Sequence, residues 1–441
     1  MRFGLVLTAA VLAATIALLT GSNPHGAVGA NLTATPSTLG SVFSQSVPNE
    51  TIELQSGDYG RFGGGMKSGR VTLRAAPGAK VTMDLDFSPA ANITVDGVDL
   101  DDVVIAERSH DITIRNSDIT GQVILRDLTD SNVTLENNVH RDWDKCGNCG
   151  EGRIFIPGDL SRPSGITIAG SEFVGGVSDG ILNGSNGTRI IHNYFHDLEE
   201  GTPNGVHTDA IQLYGSKNTV IKGNFIRDVP DAIMAPDGTD HERIENNVIA
   251  GDRGGYPYAI TIWSDDGSVI RHNTFADGAC MFNLRCGIIS IGSKSGQPAG
   301  RGTVIEDNIA NDISIGDGQA SASRSHNMLF GGSPRGPGEF RGKPVFVGGS
   351  APDTRSGYAL APRSPGVGKA GDGLDVGAII ARDTACADAR GHVKKVKRRV
   401  AGARRALSRA SGRKQRRKAK AKLRRAKRQL RDARHSVRQF C

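Results

Sequence analysis

Beyond its first thirty residues, the chain lacks any apolar run that could cross a membrane. Its one extended apolar run, from Leu5 to Leu19, follows a single basic residue, Arg2, and precedes Val28-Gly29-Ala30. This order is typical of a secretory signal peptide cleaved near Ala30, and the run is short for a membrane span. The sequence therefore predicts a secreted or cell-surface protein, with an uncleaved amino-terminal anchor as the alternative.

Cysteine is scarce, and the six cysteines fall into three pairs. The CGNC motif (146–149) has no second cysteine pair or close histidine pair to complete a tetrahedral zinc site, and no βαβ pattern of a thioredoxin-like redox motif surrounds it. An even number of cysteines in an exported chain favours disulfides. The predicted pairs are Cys146–Cys149, Cys280–Cys286 and Cys386–Cys441.

Acidic and aromatic residues are nearly absent from the carboxyl-terminal tail. Residues 387–441 contain 23 Lys or Arg, two acidic residues and one aromatic residue, Phe440, so their net charge is +21. The rest of the chain has 31 basic and 44 acidic residues, a net charge of −13. Such a tail predicts contact with an anionic polymer of the cell surface. Nucleic acid is a weaker candidate because stacking aromatics are missing, and docking on the acidic remainder of the chain is the alternative.

The tail is rich in residues that favour helix. Ser411-Gly412 divides it into halves of similar length, roughly 389–409 and 413–439. Apolar residues at helical spacing predict a narrow seam between two antiparallel helices. They are Val393, Val396, Val400, Ala403 and Leu407 in the first half, and Leu423, Ala426, Leu430, Ala433 and Val437 in the second.

The middle of the chain repeats one short pattern, in which a small polar residue, usually Asn, follows an apolar residue after three places. Examples are ITIRNSDI (112–119), VIKGNFI (220–226) and VIRHNTF (269–275). Repeats of 21 to 35 residues predict stacked coils, the longer ones carrying a loop. The leading apolar residues are Ile114, Leu135, Ile168, Ile190, Ile221, Ile244, Ile270 and Ile305. The polar residues are Ser117, Asn138, Ser171, Asn193, Asn224, Asn247, Asn273 and Asn308.

Each coil of this solenoid is expected to contain β-strands with one buried face, because Val, Ile, Thr and Phe alternate with polar residues. The asparagines are expected to turn the chain in the left-handed conformation and to hydrogen-bond from coil to coil, a structural role. A second strand follows in each coil, as in AIQL (210–213), AIMA (232–235) and AITI (259–262). The variable loops before it are where we expect a binding site.

This arrangement resembles the right-handed parallel β-helix of the pectate-lyase-like superfamily. The stretch IELQSGDYGRF…KSGRVTLRAAPGAKV (52–81) is similar to the opening coil of alginate-lyase and chondroitinase-B type lyases. The stretch KPVFVGG…GDGLDVGA (343–378) is similar to the closing coil of secreted β-helix proteins. With the repeats between them, the resemblance covers roughly residues 45–380. It implies an all-β, single-stranded solenoid, and one such fold hosts many chemistries.

Three consecutive coils carry an aspartate where the second strand starts: Asp179, Asp209 and Asp231. Neighbouring parallel strands are about 4.8 Å apart, so the carboxylates are expected to form a ladder in which one holds a proton or calcium lies between them. A proton would supply a general acid, and calcium would neutralise a uronate carboxyl group. In the alternative, each Asp faces inward and caps backbone N–H groups of the turn.

The motif HTDAIQ (207–212) is similar to the NTDGID strand of polygalacturonases, in which the Asp is catalytic, and Asp231 matches a second aspartate of that family. Pro230 replaces the aspartate beside it, and CGIISIGS (286–293) lacks the family's catalytic His. The resemblance implies catalytic roles for Asp209 and Asp231. For a lyase, His207 is the best base because imidazole titrates near neutrality. Candidate substrate-binding residues are Gln212, Arg253, Tyr256, Tyr258, Trp263 and Lys294.

We therefore expect a polysaccharide-cleaving protein, a lyase or a glycoside hydrolase, that uses His207, Asp209 and Asp231. The alternative is a non-catalytic surface protein that binds polysaccharide and is anchored by its basic tail. The predicted parts are a signal peptide (1–30), a right-handed parallel β-helix (31–380) and a short basic helical hairpin (381–441).

Overall fold

The computed structural model describes residues 31–143, 152–158, 160–199, 208–251, 258–276, 287–316, 319, 321–350 and 352–440. In that part of the chain, short parallel strands form three stacks. We name them the first, second and third sheet in the order in which one coil visits them, as in His110–Arg115, Asp118–Ile119 and Val123–Arg126. The predicted signal peptide and five of the six cysteines, all but Cys386, lie outside the described residues.

The three sheets have the following strands within the described residues. The first sheet has Asn31–Ala34, Thr51–Leu54, Met66–Ala75, Ala91–Asp96, His110–Arg115, Val133–Glu136, Ile166–Ala169, Arg189–Ile191, Val220–Lys222, Arg243–Glu245, Val269–Arg271, Val304–Glu306 and Ser323–Ser325. The second has Asp118–Ile119, Val139–Arg141, Glu172–Val174, Tyr194–His196, Phe225–Arg227, Val248–Ala250, Thr274–Phe275, Ile309–Ala310, Met328–Leu329 and Phe340–Arg341. The third has Gly57–Phe62, Val81–Phe87, Asp99–Ala106, Val123–Arg126, Ile154–Ile156, Ile181–Asn183, Asp209–Leu213, Asp231–Ala235, Tyr258–Trp263, Ile288–Gly292 and Asp312–Ile315. Thr239–Asp240 and Asp265–Asp266 form a separate parallel pair.

The core of the solenoid follows from the repeated apolar residues. The eight predicted leading residues, Ile114 to Ile305, are register partners on successive strands of the first sheet. Each is fully buried. Because alternate residues of a strand face opposite sides of a sheet, this column forms one continuous inner surface. The prediction of stacked coils is confirmed.

An asparagine ladder occupies the turn between the first and second sheets. Its fully or almost fully buried members are Asn138, Asn193, Asn224, Asn247, Asn273, Asn308 and Asn327, with Ser117 and Ser171 in two other coils. From Asn193 onward, each side-chain amide donates to the amide oxygen of the next member at 3.0–3.2 Å. That same oxygen accepts the backbone N–H of the preceding member at 2.9–3.0 Å. The predicted coil-to-coil hydrogen bonding is confirmed, and the ladder extends one coil further, to Asn327.

The left-handed residue of this turn is not the ladder asparagine, as we expected, but the residue before it. Asn137, His192, Asn246 and His272 have φ angles of 52–59°. The ladder side chain must point into the core to reach backbone carbonyls, so the preceding residue makes the reversal. That reversal also ends the first strand. The residues after the ladder asparagine therefore form a strand of their own, and a coil has three strands where the sequence predicted two.

The second sheet contributes an aromatic stack to the core. His140 lies parallel to Phe173 at 4.5 Å between ring centroids, and Phe173 lies on Phe195 at 4.4 Å. Burial, reinforced by the nearby Arg153 guanidinium, lowers the pKa of His140 to about 3. The imidazole is therefore neutral and packs as an aromatic ring.

Residues 343–380, which we call the cover segment, do not form the closing coil that the sequence predicted. The last solenoid strand is Phe340–Arg341, and the cover segment then packs against the outer face of the second sheet. Tyr358 lies in the 3₁₀ helix Arg355–Tyr358, and its ring centroid is 5.8 Å from that of Phe225. The backbone N–H of Ala378 donates to Thr274 Oγ1 at 2.7 Å. The outer face of this sheet is apolar at Phe225, Val248 and Ile309, so covering it removes that surface from water.

Three α-helices complete the described chain. Helix α1 (Leu39–Gln45) buries Leu39 and Phe43 against the amino-terminal coils. Helices α2 (Arg382–Ser408) and α3 (Arg413–Phe440) pack together as the predicted hairpin. The ten predicted seam residues are buried or half-buried. Within the described residues, none of the helices combines the length and apolarity that crossing a bilayer demands.

Candidate functional site

The aspartate ladder lies where third-sheet strands start. Asp209 and Asp231 are register partners on neighbouring strands. Ile181 pairs with Ile211, so Asp179, two residues before Ile181, aligns with Asp209. The three aspartates therefore stand in one row along the solenoid axis, about 4.8 Å apart at the backbone.

All three aspartates are buried where their strands start. Asp209 is 0% exposed, and Asp179 and Asp231 are 6% and 3% exposed. Asp179 Oδ1 accepts the backbone N–H of Asp209 at 2.7 Å, which is the capping role that the sequence offered as the alternative to chemistry. Asp179 therefore makes a capping contact, and the catalytic roles of Asp209 and Asp231 stay predictions.

The sequence did not point to Arg153, a fully buried guanidinium in the coil before the ladder. It donates to the carbonyl oxygens of Val174 at 3.1 Å and His140 at 3.3 Å. Burial lowers the pKa of Arg153 to about 10, and the charges of Asp142 and Asp179 oppose that shift. Arg153 therefore places positive charge at one end of the aspartate row. Its only sequence signal is a basic residue directly before the apolar strand Ile154–Ile156.

The outer face of the third sheet presents two rows of side chains beside the aspartates. Gln212, Met234, Thr261 and Ser290 are register partners in one row, and Gln212 is partly exposed, as predicted. Tyr214 comes two residues after Gln212, and Trp263 comes two residues after Thr261, so both belong to a second row. The two rings lie two coils apart along the solenoid. Tyr214 is 60% exposed and Trp263 is half-buried. The sequence identified Trp263 but missed Tyr214 as a surface ring.

The other predicted binding residues are placed as follows. The Lys294 ammonium contacts the Asp237 carboxylate, so its charge is paired within the protein. Tyr258 lies in the strand Tyr258–Trp263, on the coil after Asp231. His207, Arg253 and Tyr256 lie outside the described residues, as does the side chain of Tyr258.

Metal-ligating side chains converge elsewhere. Within the described residues, three of them bring ligand atoms within 4.8 Å of one another at one place, formed by His272, Asp307 and Asp372. The aspartate ladder does not bring its three carboxylates that close, and a calcium site there stays a prediction. Sequence reasoning missed the His272 cluster because its members come from two coils and the cover segment.

Comparison with known proteins gives the fold. A model of the family described as periplasmic copper-binding protein (NosD) matches residues 198–330, under a third of the chain. The solved structure of the PL6-family alginate lyase AlyGC aligns with a TM-score of 0.53 and 14% identity, over 79% of this chain and 58% of that one. An alginate lyase from Paenibacillus sp. str. FPU-7 gives a TM-score of 0.43 and 12% identity, over 60% of this chain and 98% of that one. A search of curated proteins finds no match.

The protein thus has a right-handed parallel β-helix fold like that of AlyGC, followed by a helical hairpin. The chain spans somewhat more than half the length of AlyGC.

The copper in the description of the NosD family can be tested against the residues present. The His272 cluster offers one imidazole and two carboxylates, and it lacks the thiolate or thioether that selects copper(I). The cluster therefore does not fit a copper(I) site, and no step is assigned to copper.

Proposed function

We propose that the protein is an exported carbohydrate-active enzyme that cleaves a polysaccharide, by β-elimination or hydrolysis, along the outer face of the third sheet. The observation that carries the proposal is the register of Asp209 and Asp231 on neighbouring strands beside a partly exposed polar and aromatic surface. Gln212 would hydrogen-bond sugar hydroxyls, and Tyr214 and Trp263 would stack on sugar rings. The fold shared with an alginate lyase supports this class of substrate.

The two carboxylates suit acid–base chemistry. Neighbouring parallel strands lie about 4.8 Å apart, so the backbone places Asp209 and Asp231 side by side. If the reaction is hydrolysis, Asp209 and Asp231 are the acid and the second carboxylate. If it is elimination, His207 would be the base, and the aspartate row would be the place to hold a cation that neutralises the uronate carboxyl group.

The reaction class is tested with a panel of neutral and uronate-containing polysaccharides, with and without calcium. Ultraviolet absorbance of an unsaturated product and new reducing ends are followed in parallel. A rise in both signals identifies a lyase, and reducing ends alone identify a hydrolase. If neither signal rises while binding is detected, the protein is a non-catalytic surface protein and the proposed cleavage is wrong.

Asp209→Asn is expected to lower turnover at least about 100-fold, because the amide cannot exchange a proton with the substrate. The matched control is Asp312→Asn. Asp312 starts a strand further along the third sheet, as Asp209 starts its own strand. It is the register partner of Ile288, which in turn pairs with Tyr258. Its Oδ1 accepts the backbone N–H of Ile313 at 2.9 Å, a contact that Asn keeps. This control should retain activity.

Thermal unfolding of both variants shows whether a loss of activity reflects chemistry or folding. If Asp209→Asn does not fold, Asp231→Asn takes its place. The double variant His207→Ala/Asp209→Asn should turn over only slightly more slowly than Asp209→Asn alone. The effects of substituting two residues that act together in one mechanism are not additive. Full activity in Asp209→Asn would remove this residue from the mechanism.

We also propose that the helical hairpin anchors the protein on an anionic polymer of the cell surface. Every Lys and Arg from Lys394 to Arg428 is exposed to solvent. The base of the hairpin contacts the cover segment, where Cys386 packs near Val347 and Ala359 and Arg382 pairs with Asp375. The exposed positive surface is therefore available to an external polyanion.

Replacing four exposed basic residues of α3 with Gln is expected to weaken retention on an anionic polymer several-fold at low ionic strength. The effect should shrink as salt rises, because salt screens exposed charges. The four are Lys418, Lys422, Arg425 and Arg428. The control removes four exposed charges from the solenoid, Arg61, Lys80, Arg108 and Arg126, and should retain binding. Equal weakening in both variants would show net charge acting, and not a hairpin anchor.

A further inference from the structure

A buried histidine faces two carboxylates where the cover segment meets the solenoid. His272 and Asp307 are neighbours in the left-handed column of the first turn, because Arg271 and Glu306 are register partners. Asp372 comes from the cover segment. His272 and Asp307 are 5% and 4% exposed, whereas the Asp372 side chain is 47% exposed and faces solvent. Two coils and the cover segment thus contribute one group each.

The histidine is oriented so that a lone pair faces the carboxylates. His272 Nδ1 lies 3.2 Å from the carbonyl oxygen of Gly377, which can only accept, so Nδ1 carries the proton. In the neutral ring, Nε2 is then an acceptor, and it faces Asp372 Oδ2 at 3.1 Å and Asp307 Oδ2 at 3.6 Å. A positive charge between Nε2 and the two carboxylates, supplied by a bound metal ion or by a proton on Nε2, would stabilise this arrangement.

The separations are compatible with ligands of a shared metal ion. A charge-assisted N–H···O bond is about 2.7–2.9 Å long. Nitrogen and oxygen ligands about 2.0–2.1 Å from a tetrahedral zinc ion lie about 3.3 Å from each other. The observed 3.1 and 3.6 Å fall on either side of that value.

The groups around the cluster hold the ligands in place. Asp307 Oδ1 accepts the backbone N–H of Gly371 at 2.6 Å, and Asp372 Oδ1 accepts that of Leu374 at 3.0 Å. Each carboxylate therefore uses one oxygen for the cover segment and directs the other toward His272. A ligating histidine whose second nitrogen donates to a backbone carbonyl is the usual arrangement in zinc sites.

We propose that His272, Asp307 and Asp372 bind a divalent transition-metal ion of the zinc type, with water as the fourth ligand. The ion joins the cover segment to two coils of the solenoid and so holds the cover over the apolar outer face of the second sheet. The exposed side of Asp372 gives the ion access from solvent. This site is separate from the aspartate row and does not depend on the proposed polysaccharide cleavage.

The test measures zinc binding by the full-length protein after treatment with a chelator. We expect the wild type to bind one zinc ion per chain. Each of the variants His272→Asn, Asp307→Asn and Asp372→Asn should bind zinc at least tenfold more weakly. Zinc should raise the melting temperature of the wild type and slow proteolysis of the cover segment. Neither effect should appear in the three variants.

The matched control is His192→Asn. His192 occupies the same left-handed column, with a φ of 58° against 52° for His272, and Asn stands naturally in this column at Asn137 and Asn246. The control should bind zinc as the wild type does. If His272→Asn does not fold, Asp372→Asn on the exposed cover segment decides.

Two results would overturn the proposal. Zinc binding that is unchanged in all three variants would place the ion elsewhere. A wild type that binds no zinc would show that the histidine and the two carboxylates interact directly and hold no metal ion.

Discussion

Asn247→Ala is expected to lower the free energy of unfolding by about 3–6 kcal/mol, because it leaves several buried polar groups without partners. Asn247 Oδ1 accepts the backbone N–H and the side-chain amide of Asn224 at 2.9 and 3.0 Å. Its Nδ2 donates to Ile221 O at 2.9 Å and to Asn273 Oδ1 at 3.0 Å. Alanine removes all four bonds from a position that water cannot reach. Chemical denaturation at neutral pH measures the change.

The control for the ladder is Ser171→Ala in the same column. Ser171 Oγ accepts the N–H of Asn138 and donates to Ala169 O, both at 3.2 Å. Fewer and longer bonds are lost, so we expect a decrease of about 1 kcal/mol. Equal effects of the two substitutions would mean that the asparagine amides add nothing beyond a small polar residue in the turn.

Glu242→Gln is expected to remove a loss of stability at alkaline pH. Glu242 is fully buried, its Oε1 accepts the Ser216 hydroxyl at 2.6 Å, and its Oε2 accepts the Thr219 N–H. Burial, with the nearby Asp265 charge adding to it, raises the pKa of Glu242 from 4.5 to about 8. A carboxyl group whose pKa is raised by folding stabilises the protein fully below the unfolded-state value. This contribution is lost as the pH rises through the folded-state value.

The wild type should therefore lose on the order of 3–5 kcal/mol between pH 5 and pH 9 through this group. In Glu242→Gln the slope should be much flatter, and the variant should be the more stable protein at pH 9. Denaturation curves at pH 5, 7 and 9 measure both. Equal slopes for the two proteins would show that Glu242 does not carry the pH dependence.

Glu245→Gln supplies a control of opposite sign from the next strand. Although burial acts to raise its pKa, hydrogen bonding and charge from Arg243, Arg271 and Lys222 lower it below the usual value. The ionised Glu245 therefore adds to the free energy of unfolding above its unfolded-state pKa, and this stabilisation is lost as the pH falls through its folded-state pKa. Glu245→Gln should therefore destabilise the protein at neutral pH, where Glu242→Gln does not.

Parts of this protein can be predicted from sequence because they repeat. The column from Ile114 to Ile305 and the asparagine ladder recur in every coil, so a local pattern reports the stacking of strands distant in sequence. The hairpin was predictable for a similar reason, since Ser411-Gly412 separates two runs with helical apolar spacing. The row of Asp179, Asp209 and Asp231 was also visible, because each precedes the same apolar motif.

The sequence by itself determined the solenoid, its inner columns, its ladder and the division of charge between solenoid and tail. Periodicity carries that information, because strands with one buried face and identical turns can only stack. The tertiary structure alone decided which residue takes the left-handed conformation, that a coil has three strands, and that residues 343–380 cover the second sheet. It also brought His272, Asp307 and Asp372 together, although 35 and 65 residues separate them along the chain. No local pattern marks such contacts, since they depend on how a non-repeating segment packs against a finished surface.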